Sequence, residues 1–233
     1  MRTLTPDEVG ALLDVAQDSH HYPVYYTAVS SGLRQAELLG LRWRDLDLDL
    51  LSISVSQVLY RRQGAYQFKE PKTTRSRRLV AMTPKLALFL REYRQDRELL
   101  RLELGRRLEL DDLVFANVEG KPVNASVLSH DFGRTAMKAG LAGVRFHDLR
   151  HTFASLMLLR GAKPKVISEA LGHSSVAFTM DVYSHIIEGM QSDAVALLDE
   201  ILPEGVHRNS VAKPSPIPGS QYKIAADLAS MPL

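Results

Sequence analysis

Apolar and polar residues alternate along Leu51-Ser52-Ile53-Ser54-Val55-Ser56, the period of a half-buried strand. Upstream the pattern is helical. Thr5-Pro6-Asp7-Glu8 reads as a helix start: Thr5 can cap, Pro6 suits the first helical position, and Glu8 completes a capping box. That helix is expected to reach about residue 17, with a second over 23–31 stopped by Gly32 and a short third over 35–39. After Trp43 the period changes, and Tyr66-Gln67-Phe68 and Arg78-Leu79-Val80-Ala81 look like two further strands of one small antiparallel sheet. Thr83-Pro84 opens a helix to about residue 104, Leu113-Val114-Phe115 suggests a short extended piece, and helices follow over 125–138, 149–159, 164–171 and 176–183. A last helix over 190–201 would place Ala194, Leu197, Leu198 and Ile201 on one face. The pattern predicts a mainly α domain with a small antiparallel β-sheet, an α+β class, over residues 1–203. Pro203, Pro214, Pro216, Pro218 and Pro232 interrupt the C-terminal stretch, so 204–233 reads as a largely disordered tail.

Composition narrows the chemistry. The chain has 233 residues, 45% of them hydrophobic, enough for a sizeable core. It has no cysteine, which removes disulfides, thiolate metal sites and a cysteine nucleophile. No stretch approaches the roughly 20 apolar residues of a membrane helix, and the N-terminus lacks a signal-peptide pattern. These features predict a soluble, cytoplasmic protein with no membrane partner. The net charge of +2 says little, but its distribution says more. Arg61, Arg62, Lys69, Lys72, Arg75, Arg77 and Arg78 cluster in a stretch where Glu70 is the acid. A surface hairpin in water would account for such a run, and so would a polyanionic partner.

Short islands carry the candidate chemistry. In Ser31-Gly32-Leu33-Arg34-Gln35-Ala36-Glu37-Leu38, Arg34 sits at the turn into a helix and Glu37 lies one turn on, placed to pair with it. In Glu70-Pro71-Lys72-Thr73, a lysine among cations could donate a proton to a leaving oxygen, with Lys69 as a rival. In Phe146-His147-Asp148-Leu149-Arg150-His151-Thr152, His147 and Arg150 share a helix face and suit a phosphate. His147, Asp148 and His151 also suggest metal ligands, but the cationic Arg150 between them opposes a bound cation, so no metal is expected. Leu171-Gly172-His173 precedes Asp181-Val182-Tyr183-Ser184-His185, where Tyr183 alone would read as a core tyrosine. As a nucleophile its phenol needs neighbouring cations or a base.

In this order the islands resemble the tyrosine recombinases of the phage integrase type, over most of the chain before the tail. The similarity rests on Gly32-Leu33-Arg34 with Glu37-Leu38, Pro71-Lys72-Thr73, His147-Asp148-Leu149-Arg150-His151-Thr152, Leu171-Gly172-His173 and Tyr183-Ser184-His185. It implies the integrase catalytic-domain fold and a cofactor-free DNA strand exchange. Arg34 and Arg150 would bind the non-bridging oxygens of the scissile phosphate, and His147 and His173 would complete the pocket. Lys72 would protonate the departing 5′ oxygen, and Tyr183 would attack phosphorus to give a 3′-phosphotyrosyl link. Glu37 is expected to support Arg34, His151 to act structurally or behind the contacting groups, and His185 to lie outside the chemistry. The resemblance further implies duplex DNA as partner, four subunits on two duplexes, a monomer when free, and a bacterial or phage-encoded, nucleoid-associated setting. The apolar face of the last helix would pack on its own domain or, as C-terminal segments of the family do, dock on a neighbouring subunit.

The family's smaller DNA-gripping domain usually precedes the catalytic one, and Thr5-Pro6-Asp7-Glu8 matches the catalytic start, so that domain is expected to be missing and DNA affinity to be weak and salt-sensitive. A non-catalytic DNA-binding or regulatory remnant is the alternative. A metal-dependent nuclease built on the histidines would need a carboxylate cluster that the sequence does not offer.

Overall fold

The computed structural model describes residues 2–70, 77–173 and 175–184. The candidate residues Lys72, Arg75 and His185, the helix expected over 190–201 and the tail lie outside these residues. Helix α1 (Pro6–Ala16) opens with the expected reciprocal cap, Thr5 accepting from the Glu8 N–H and Glu8 accepting from the Thr5 N–H. Helix α2 (Tyr22–Ser31) ends at Gly32, whose φ of 64° is left-handed, and the short α3 (Gln35–Leu38) follows at once. A 3₁₀ turn over Trp43–Asp45 leads into strands β1 (Leu46–Asp47), β2 (Ser52–Val55), β3 (Val58–Arg62), β4 (Ala65–Lys69) and β5 (Arg78–Ala81). The remaining helices are α4 (Pro84–Glu103), α5 (Ala125–Lys138), α6 (Asp148–Leu159), α7 (Pro164–Leu171) and α8 (Val176–Val182).

The expected single sheet is in fact two. Strands β1, β2 and β5 form one antiparallel sheet in that order, and β3 and β4 form a separate hairpin. The β2–β5 register sets Ile53 opposite Val80, both buried, while Leu79 faces out at 71% exposure. Strand β3 escaped the alternation rule because its only buried residue is Leu59, with Arg61 and Arg62 in solvent. Its turn is formed by Gln63 and Gly64, both at positive φ, which matches the twist of a tight hairpin. The segment Leu113-Val114-Phe115 is extended, with an isolated bridge from Leu113 to Arg42.

The buried apolar residues form two clusters. The larger joins α1, α2, α4 and α5 to the sheet through Leu12, Tyr25, Trp43, Ile53, Leu86 and Phe132. The smaller is Ala154, Leu158, Ile167, Leu171 and Tyr183. Helix α6 belongs to both, with Leu149 in the first and Ala154 and Leu158 in the second. It therefore carries His147, Arg150 and His151 to the seam between the clusters.

Gly32 sits where α2 meets this seam. A β-carbon there would lie 2.4 Å from Phe153 Cδ1 and 2.9 Å from Leu171 Cδ2, at a φ that L side chains disfavour. Gly32→Ala is expected to cost about 2–4 kcal/mol, read as a lower urea midpoint at unchanged slope. A midpoint equal to that of the wild type would mean the seam can relax around the extra methyl.

Candidate active site

Arg34 caps α3 with extended backbone angles, and Glu37 reaches back to it. Glu37 Oε2 accepts from the Arg34 N–H at 2.8 Å, and Oε1 accepts from Arg34 Nη1 at 2.8 Å. The same carboxylate receives Arg78 in fork geometry, Nη1 to Oε1 at 2.9 Å and Nη2 to Oε2 at 3.0 Å. Burial alone would raise the Glu37 pKa, but the bonds and charge of Arg78 and Arg34 outweigh it and hold it below the ordinary carboxylate value. One carboxylate thus serves two guanidinium groups. Arg34 remains partly open to solvent, its side chain 39% exposed, and its Nη2 donates to the Gly172 carbonyl at 3.1 Å.

Arg78 is where the structure departs from the expected DNA-facing cluster. Its side chain is buried, and Nε donates to the Ala170 carbonyl, so it ties β5 to α7. The strand period held the signal for this: Arg78 and the buried Val80 are two apart and share a face. The other described members of that cluster are exposed. Arg61 lies over the Tyr66 ring and Lys69 over the Tyr60 ring, Arg62 stands in solvent, and Arg77 is paired with Glu70.

Arg150 is held differently. It is only 4% exposed, and its guanidinium donates through Nη1 to the Gly32 carbonyl at 2.7 Å and through Nη2 to the Leu171 carbonyl at 2.6 Å. Among the described residues no carboxylate lies within ion-pair distance of it. Burial, with Arg34 also nearby, lowers its pKa to about 9. A buried cation seated on neutral carbonyls still calls for an anion, because its charge is fixed in place but not neutralised.

The histidines line the same seam. His147 precedes α6, is exposed, and stands edge-on to His151 with ring centroids 5.0 Å apart. His151 Nδ1 lies 3.0 Å from the Tyr183 hydroxyl. His173 follows the left-handed Gly172 that ends α7, and its Nδ1 lies 2.8 Å from Thr179 Oγ1. Tyr183 closes α8, fully buried, and burial raises its phenol to about 12 against the opposing pull of Arg150. The turn Leu171–His173 is therefore gripped from both sides, by Arg150 on the Leu171 carbonyl and Arg34 on the Gly172 carbonyl. Beside it opens a cavity of about 540 Å³ lined by Arg77, Arg78, Lys165, His173 and Ser175 among others. The sequence offered no sign of these carbonyl seats, because they join residues more than a hundred positions apart or depend on backbone rather than side-chain identity. His151, expected to act structurally or behind the contacting groups, has its Nδ1 against the Tyr183 phenol.

Burial, with neighbouring Arg150, lowers the pKa of His147. Burial followed by His147 takes His151 to about 4, and burial followed by Arg150 and Arg34 takes His173 to about 4. His21, packed elsewhere, is lowered as well. The ordinary histidine value is 6.5, so between there and about 4 the unfolded chain binds more protons than the folded one. Stability should therefore fall as pH drops through that window, whose upper part lies above the range where carboxylates titrate. Thermal melts at about pH 7.5 and about pH 5 check this, with a lower midpoint expected at the acid value. An equal or higher midpoint at pH 5 would contradict a site of neutral imidazoles.

No helix among the described residues is long and apolar enough to cross a membrane. The phage integrase family profile matches residues 2–189. An XerC-like tyrosine recombinase of Caldanaerobacter subterraneus is 29% identical over 214 residues, covering 86% of this chain and 54% of that protein. The ICEBs1 integrase of Bacillus subtilis is 32% identical over 204 residues, covering 87% of this chain and 55% of the relative. The chain thus spans about half the length of the curated relatives it matches. Among solved structures, the Tn1549 transposon integrase in complex with transposon right end DNA superposes with a TM-score of 0.68 at 27% identity, over 78% of this chain and 61% of that one. The XerA recombinase superposes with a TM-score of 0.64 at 27% identity, over 83% of this chain and 65% of its own. The profile match over most of the chain, the shared fold, and the arginines, histidines and tyrosine gathered at one seam agree: this chain belongs to the phage integrase family.

Proposed function

We propose that this chain cuts and rejoins duplex DNA by transesterification, through a covalent 3′-phosphotyrosyl link at Tyr183. The observation that carries the reading is Arg150, a buried cation fixed on two carbonyls and left without a carboxylate partner among the described residues. A scissile phosphodiester supplies the missing anion. Arg34, open to solvent on one side and braced by Glu37 on the other, joins it on the phosphoryl oxygens. The transition state concentrates negative charge on these oxygens, and donors fixed beforehand stabilise it without reorganising. His147 and His173 add donors, and Tyr183 supplies an oxygen nucleophile that keeps the broken end attached to the protein. In the reading taken from the family motif, Lys72 protonates the departing 5′ oxygen, a step worth about 10²–10⁴ in rate. The exposed Arg61, Arg62, Lys69 and Arg77, together with Arg75, contact the DNA backbone, so binding weakens steeply with salt.

The working assembly in this reading is a tetramer on two duplexes, formed from a protein that is monomeric when free and acts at the nucleoid. The test is incubation with a nicked suicide duplex drawn from the gene's own flanking sequence, with chelator present. A protein–DNA adduct that survives denaturant is expected. DNA binding that weakens with salt but never yields an adduct would favour the non-catalytic remnant instead.

A further inference from the structure

We infer that Thr179 is a positioning residue for His173: its hydroxyl donates to Nδ1 and fixes the imidazole as the tautomer that carries its proton on Nε2. This rests on the strand-transfer reading for its purpose but on the geometry of α8 for its content. Thr179 is fully buried, and its Oγ1 lies 2.8 Å from His173 Nδ1. Its neighbour Phe178 meets the same imidazole edge-on, with centroids 4.8 Å apart. Adjacent residues of one helix therefore set both the plane of the ring and the partner of one nitrogen.

The direction of the Thr179 bond follows from what His173 must do. Burial, followed by the charges of Arg150 and Arg34, lowers its pKa and keeps it neutral at pH 7. A neutral imidazole has one N–H. If that proton sat on Nδ1, Thr179 would accept it, and Nε2 would turn a lone pair toward the phosphoryl oxygens, which repels. If Thr179 donates instead, Nδ1 accepts and Nε2–H is free to donate to the phosphate. Because the hydroxyl is buried, water does not compete to invert this choice. The same arrangement makes α8 a shared mount: it orients His173 through Phe178 and Thr179 and ends at Tyr183, so the phosphate donor and the nucleophile are carried by one element.

The full chain, with ¹⁵N-labelled histidine and no DNA, tests this directly. In a long-range ¹H–¹⁵N spectrum, with His173 assigned by His173→Gln, we expect a protonated Nε2 and a bare, hydrogen-bonded Nδ1. Thr179→Val keeps the shape but removes the donor, and should give a mixture of tautomers, while Thr179→Ser should restore the wild-type pattern. On the nicked duplex, Thr179→Val should slow adduct formation about 10–100-fold, as loss of an orienting partner behind a site commonly does, with DNA affinity unchanged and Thr179→Ser near wild type. A wild-type spectrum with the proton on Nδ1 overturns the inference even if Thr179→Val does not fold. So does a Thr179→Val protein with an unaltered tautomer or an unaltered adduct rate. If wild type itself forms no adduct while Nε2 carries the proton, the strand-transfer reading fails and the hold of Thr179 on His173 stands.

Discussion

Tyr183→Phe is expected to abolish the covalent adduct on a nicked duplex while leaving fold and DNA binding in place. Phenylalanine keeps the ring in the cluster of Ala154, Leu158, Ile167 and Leu171 and loses only the hydroxyl, with its bond to His151. The stability cost should be about 1 kcal/mol, the net worth of one buried hydrogen bond, so a melt shifted by a few degrees would accompany a complete loss of chemistry. If the phenylalanine protein forms adduct at the wild-type rate, another residue is the nucleophile. Because the variant differs from wild type by a single oxygen, a folded but inactive protein would assign the loss to that atom.

Arg150→Ala should produce the next largest effect, a fall in adduct rate of about 10²–10³, the usual consequence of removing one fixed donor from a transition-state oxygen. Its effect on stability is a contest of opposites. The Gly32 and Leu171 carbonyls lose their donor, but a buried cation that lacks a carboxylate partner among the described residues is also removed. Arg150→Lys separates charge from geometry, since lysine keeps the cation but reaches one carbonyl rather than two. It should be nearly as slow as alanine if the fork is what matters. Full activity in the lysine protein would mean that Arg150 acts only as a point charge. The rates can be read from single-turnover trapping of the adduct, with circular dichroism to establish that each variant is folded.

Much of this fold was legible because its elements announce their ends. Thr5 with Glu8, Gly32, Thr83-Pro84 and Gly172 cap or stop helices by local chemistry, and the helix bounds fall within a residue or so of those signals. Helices α5 and α7 begin and end where the pattern placed them. Strand β3 was not legible, because a hairpin lying largely in solvent has little apolar alternation to show. The side chains of the site were named from motifs, but their mutual support was not. Arg150 reaches a carbonyl at Gly32 and Arg34 reaches one at Gly172, and no local pattern predicts bonds to a backbone atom so far along the chain. Arg78 is the opposite case, because the strand period did carry its direction. By charge it belonged with Arg77 among the outward cations, and only its place in β5, on the face of Val80, turns it inward to Glu37.

Peptide mapping of the trapped adduct decides whether the covalent link to DNA forms at Tyr183. After digestion with protease and nuclease, mass spectrometry should find a nucleotide esterified through its 3′-phosphate to the peptide carrying Tyr183, and the released DNA fragment should bear a free 5′-hydroxyl. A nucleotide on any other residue, or a link through a 5′-phosphate, would contradict the account.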